Sequence, residues 1–266
     1  MFTQWHYWHL EIYIGLSLLL WSYWAALYPL RPTEVWLTRH LRRKVICFFA
    51  GFFILLIAEI SPIHDLSKHF FSIHMLQHVL LCFIVVPLLL LSIPPWIPDR
   101  LAYIKPFLPF ARVLFHPVVT FFCFNVTFAV WHFSFFYDAA IQSSFIHGFE
   151  HLSMLAASVL GWWPILSPSQ LLPRLSPPSQ MLYLFLMPIA QIAVFAPVTF
   201  ATNPFYSSYA DTALFLGITH LQDQQIGGAI MKISTTAVFL FMLISIFFRW
   251  YNQDQATQKD SKSNHE

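Results

Sequence analysis

Two short segments place histidines at helical spacing beside a carboxylate. In HMLQH, His74 and His78 stand four residues apart; in HGFEH, His147 and His151 repeat the interval with Glu150 between them. On a helix, residues i and i+4 lie one above the other on a single face, so each pair presents its imidazoles along one stripe. His132, in AVWHFSFFY, ends another apolar run. Imidazole-rich sites suit copper, zinc, iron and nickel, whereas carboxylate-rich sites suit magnesium, manganese and calcium. One such pair is a weak signal, and a lone histidine at a helix end is more often hydrogen-bonded than ligating. Two pairs at matching depth, with His132 beside them, predict one metal site built from His74, His78, His132, His147 and His151.

Other polar residues fall near the same ends of their segments. Glu59 is followed by His64 and Asp65 in SPIHD, Asp138 sits in FFYDAAI, and HLQDQQIGGAIMK supplies His220, Asp223, Gln224 and Gln225. A carboxylate here can receive the second N–H of a metal-bound imidazole. Glu59 can equally pair with Lys68 or Lys232. Met75 and Met231 bring soft thioethers that favour Cu(I) if they point inward, although Met75, one residue after His74, faces about 100° away. The residues alone favour copper over zinc and iron only modestly. The pair Gly227–Gly228 is read as a close helix contact.

Several chemistries are excluded. Cys47, Cys82 and Cys123 lie in apolar runs with neither disulfide nor metal-motif spacing. No Ser–His–Asp or Cys–His arrangement and no phosphate-binding glycine loop is present. No basic surface interleaved with aromatics suggests nucleic acid.

The elements that must position these groups follow from composition. Hydrophobic residues make up 58% of the 266 and charged residues 10%, against roughly 25% charged in soluble domains. Apolar blocks predict membrane helices at 10–28, 45–61, 73–93, 113–133, 146–166, 180–200 and 227–248. Connections 29–44, 94–112 and 167–179 and the tail hold twelve Lys and Arg, while the opposite set holds only Lys68. That asymmetry predicts an all-α integral membrane protein, a seven-transmembrane helical bundle with its N-terminus outside and its C-terminus cytoplasmic. Residues 1–250 form the spanning domain and 251–266 a disordered cytoplasmic tail. The first span, lacking a basic leader, is expected to be retained. Most histidines, including His6 and His9, then fall on the outer side, and only His40, His116 and His265 on the inner. Pro87, Pro188 and Pro197 predict kinks.

Three blocks, SPIHDLSKHFFSIHMLQH, WHFSFFYDAAIQSSFIHGFEHLSMLAASVLGWWPI and DQQIGGAIMK, together resemble the CtaG-like multi-spanning cytochrome c oxidase assembly factor family associated with caa-type oxidases. The resemblance covers roughly residues 50 to 245. It implies a bacterial plasma-membrane protein that is not an enzyme and that helps deliver copper, as Cu(I) or Cu(II), to the oxidase at the extracytoplasmic face. His74 and His78 match the family's HMxxH element, His132 its WH element, His147, Glu150 and His151 its HxxEH element, and Asp223 with Gln224 its DQ element. The proline that commonly follows the WH histidine is missing, while Tyr137 and Asp138 are kept. Implied partners are a cytochrome c oxidase subunit or a copper chaperone; the residues themselves point to membrane lipid and not to nucleic acid, and leave open a second copy of the chain. A histidine-ligated membrane iron enzyme, a b-type haem protein and a metal-free assembly scaffold stand as alternatives.

Overall fold

A chain this apolar has to satisfy its backbone polar groups within itself, and helices do so segment by segment. The computed structural model describes residues 10–27, 39–60, 62–102, 107–209 and 217–263, and all its regular elements are helical. In order they are α1 (Leu10–Leu27), α2 (Arg39–Ile60), α3 (Pro62–Ser67), α4 (Phe71–Val79), a π-helical segment (Leu80–Val85), α5 (Val86–Ser92), α6 (Trp96–Ala102) and α7 (Phe107–Leu114). Then come α8 (Pro117–Trp131), α9 (Ser134–Gln142), α10 (Ser144–Leu166), α11 (Pro177–Ala190), α12 (Ile192–Thr199), a 3₁₀ turn (Ser207–Tyr209) and α13 (His220–Ser263). Expectations for His6, His9 and His265 concern positions outside the described residues.

α4, the π segment and α5 form one continuous rod, Phe71–Ser92, at the centre of the bundle. Helices α2, α10 and α13 pack around it, and α8 packs against α10 and reaches the rod where Phe124 meets Phe83. Glycines set several of these contacts. A Cβ at Gly227 would collide with the Phe71 ring, and one at Gly228 would come within 2.5 Å of Thr199 Oγ1, so α13 lies close against both α4 and α12. Gly161 likewise seats Phe124 of α8, and Gly51 seats Leu88 of α5. Each glycine costs about 1 kcal/mol of helix propensity relative to alanine, offset here by close packing. A smaller core joins α1 to α2, where the Tyr23 and Phe48 rings stack at 3.6 Å.

The expected disturbance at Pro87 takes the form of a π turn. Val86 N–H bonds back five residues to the Leu81 carbonyl; the next donor in that register is residue 87, a proline without an N–H. The Cys82 carbonyl is thereby released inside the protein. Ser158 Oγ and Trp162 Nε1, both on α10, donate to it at 2.6 and 3.0 Å. Near Pro188 the helix breaks at Gln191, between α11 and α12, and Lys232 Nζ donates to the Pro188 carbonyl at 3.1 Å. α12 ends two residues beyond Pro197.

The bundle is all-α, but the seven-span count is corrected. Among the described residues three helices are long and apolar enough to cross a membrane: Phe71–Ser92, Pro177–Thr199 and His220–Gln258. A fourth arises if Phe107–Leu114 and Pro117–Trp131, bent by 64° between them, act as one. The other blocks fall short for physical reasons. α1 offers a shorter apolar stretch, Ile12–Leu27. α2 spends its first turns on basic residues and carries Glu59 near its end. α10 is 23 residues long, yet His147, Glu150 and His151 in its first turns lower its hydropathy. The terminal orientation, inferred from the Lys and Arg asymmetry and requiring an odd number of spans, loses the support that a count of seven gave it. What stands is an all-α, multi-pass membrane protein. α13 continues as helix past Tyr251 to Ser263, roughly 65 Å in all at 1.5 Å per residue.

The Cys82 lock is testable. Ser158→Ala or Trp162→Phe should each lower stability by about 1 kcal/mol, and the double variant by more than their sum, because only then does a buried carbonyl lose both donors. Thermal unfolding in detergent checks this; additive losses would contradict it.

Candidate metal centre

α4 carries His74 and His78 on one face, as their spacing requires, with Nε2 atoms 2.6 Å apart. One donates and the other accepts. Across from them α10 supplies Glu150, whose Oε1 lies 3.6 Å from His74 Nε2 and 3.4 Å from His78 Nε2. These three side chains are almost completely enclosed, at 0%, 1% and 2% exposure. His147 and His151, one turn apart on α10, have ring centroids 5.7 and 6.1 Å from His74. One ligand atom from each of His74, His147, Glu150 and His151 lies within 4.8 Å of the other three.

That set fits a metal ion. A four-coordinate ion with bonds of about 2.0–2.2 Å holds its ligands roughly 3.3–3.6 Å apart, a contraction that side-chain rotation can supply. His74 Nδ1, His147 Nε2, His151 Nε2 and Glu150 Oε2 are buried without a hydrogen-bond partner, whereas buried polar atoms in folded proteins are nearly always satisfied. A cation held in the cluster would supply a partner to those of its ligand atoms that face it. Three imidazoles and one carboxylate suit borderline divalent ions.

The surroundings orient this set. His151 Nδ1 donates to Glu59 Oε1 at 3.2 Å, leaving its Nε2 lone pair for a ligand. His64, on α3, brings Nδ1 within 3.6 Å of Glu59 Oε2. Gln77 donates from Nε2 to the Ala58 carbonyl at 3.0 Å and ties the end of α2 to α4. His78 belongs to the cluster through His74 and Glu150, and is outside the group of four.

The remaining expected residues take other places. His132 caps the end of α8, its Nδ1 2.7 Å from the Phe128 carbonyl and its ring against Phe128; its Nε2 is buried and unpartnered, but it is not among the four that converge. Asp223 accepts from the Phe71 and Ser72 N–H groups at 2.7 and 3.3 Å. It thus caps the N-terminus of α4 from another helix, where the helix dipole favours a negative charge. Its neighbour Gln224 accepts from Phe205 N–H and donates to the Val198 carbonyl. Asp138 accepts from the backbone and hydroxyls of Ser207 and Ser208, fixing the 3₁₀ turn. Asp65 pairs with Lys68 at the surface. Met75 packs toward Gly227, and Met231 is buried in the main core. His220 sits at the start of α13, half-buried.

Sequence reading kept Tyr137 as part of the family match and passed over the other two tyrosines that roof the site. Tyr137 and Tyr209 share a hydrogen bond at 2.8 Å, Tyr209 donates to the Ser67 carbonyl, and Tyr206 donates to the His132 carbonyl. Tyr137 meets the His74 ring at 5.2 Å, edge to face. NPFYSSY lies in a loop, and Asp138's hold on both serines, with Gln224's on the Phe205 N–H, brings its tyrosines here.

Residues 21–253 match the family described as Cytochrome c oxidase caa3 assembly factor (Caa3_CtaG). No curated protein and no solved structure matches the chain.

If Asp223 acts as the cap of α4, Asp223→Ala should destabilise the protein by about 1–2 kcal/mol, the range of a lost helix cap. Thermal unfolding measures this, and an unchanged midpoint would refute the role.

Proposed function

Because the chain belongs to the cytochrome c oxidase caa3 assembly factor family, we propose that it holds copper at the extracytoplasmic face of a bacterial plasma membrane and passes it to a subunit of the oxidase. The family is one of assembly factors, and the chain is not an enzyme. Convergence of His74, His147, Glu150 and His151 in a buried cluster carries the metal-binding part of this reading. Copper here is cargo. Imidazole ligands are monodentate and leave one at a time, and His78 stands beside the set as a replacement. Among divalent first-row ions Cu²⁺ binds N/O sites most tightly.

Charge supports the siting. Lys44 Nζ donates to the Leu91 and Ile93 carbonyls at the end of the central rod away from His74, and Arg174 and Arg249 lie within electrostatic reach of each other. Basic residues concentrate in cytoplasmic connections, whereas the histidine end carries Lys68 paired with Asp65. The partners on this reading are a copper-donating chaperone and an oxidase subunit. Respiratory-chain biogenesis is the process served.

Metal quantification and copper titration on detergent-purified protein test the proposal. Wild type should bind copper stoichiometrically and more tightly than zinc. His74→Ala with His147→Ala should weaken binding by more than the roughly 10–100-fold that loss of an outer hydrogen-bond partner costs. Uptake should also weaken as pH falls, since the imidazoles must shed their protons to bind. Retained affinity in the folded double variant would remove the site; tighter binding of zinc would change the cargo.

A further inference from the structure

A cleft of about 370 Å³ leads to this site between α1, α2 and α10. His147 and His151 stand on its wall together with Glu59 and His64, while His74, His78 and Glu150 lie enclosed behind them. It therefore reaches one side of the cluster, the side where a carboxylate already touches a ligand imidazole.

Glycine supplies an independent mark. Of the helical glycines, Gly51, Gly161, Gly227 and Gly228 each have a neighbour packed where a Cβ would go. Among the described residues, Gly15 on α1 and Gly148 on α10 have nothing within 4 Å of that position, and both line the cleft. Glycine is a poor helix former, and no close contact with a described residue explains it at these two places. Keeping the gap clear does. α1 leans on α2 through Tyr23 and Phe48, a contact distinct from the cleft wall.

Building on the metal-carrier reading, we infer that the ion reaches the cluster sideways through this cleft, and that Glu59 is the residue that receives it. Glu59 Oε1 exchanges the hydrogen bond from His151 Nδ1 for a bond to the cation, then returns to His151 as the ion passes to His147 Nε2 and His151 Nε2. No proton or electron changes owner in the exchange. The ligand class is a divalent cation small enough, bare or partly hydrated, to pass the gap.

Stopped-flow mixing of the full-length protein in detergent with Cu(II), read by tryptophan quenching, tests the route. Gly148→Leu and Gly15→Leu plug the cleft from opposite walls, and either serves if the other fails to fold. Both should slow uptake at least tenfold and slow removal by EDTA by the same factor, with stoichiometry and Kd unchanged. Glu59→Gln should also slow uptake at least tenfold with the cleft open. Wild-type rates in a folded leucine variant overturn the route, as does lost stoichiometry in both. A wild-type rate in Glu59→Gln overturns the receiving role alone. A wild-type protein that binds no Cu(II) overturns the metal site itself, and the route with it.

Discussion

A carboxylate shut away from water inside an apolar bundle is costly unless hydrogen bonds or opposite charge compensate it. Glu150 is such a group: one of its oxygens faces the imidazoles of both His74 and His78 on another helix, and the other is buried without a partner. This requirement fixes the depth at which α4 meets α10. It also explains the distant devices around it. Asp223 anchors the start of α4 to α13, and Gly227 lets Phe71 lie flush against that same helix. In the DQ element Asp223 thus holds the ligand helix rather than the ligand, and Gln224 holds the Phe205 and Val198 backbone.

Much of the site could be read from spacing because helices transmit spacing faithfully. The i, i+4 interval placed His74 with His78 and His147 with His151, and the polar residue between the second pair became part of the same cluster. His132 resisted that logic. It lies at a helix end, where the imidazole finds its own chain's Phe128 carbonyl before any neighbour. Gln77, Tyr206 and Tyr209 were hidden for the opposite reason: their roles depend on tertiary partners, 19 residues away at Ala58 for Gln77 and 72 or more for the tyrosines, and nothing local marks them.

The fold was legible in class and not in count. Apolar blocks announced membrane helices, but block length does not distinguish a helix that crosses from one whose polar turn faces an interior site. α10 illustrates the conflict. The side chains that make it chemically interesting are those that remove it from the set of plainly apolar spans. Glycine carried a parallel ambiguity, since a packing glycine and a gap-keeping glycine are the same letter until the neighbouring helix is seen.

The π turn at Leu80–Val85 fixes an azimuth as well as a bend. Each residue in a helix advances the side-chain bearing by about 100°, so one extra residue in the turn resets the compass heading of everything above it relative to α5. The direction in which His74 and His78 look is therefore written partly by a residue count below them, and clamped there by α10 through the Cys82 carbonyl. The same five letters, HMLQH, grafted onto an uninterrupted helix would keep their spacing and lose their heading.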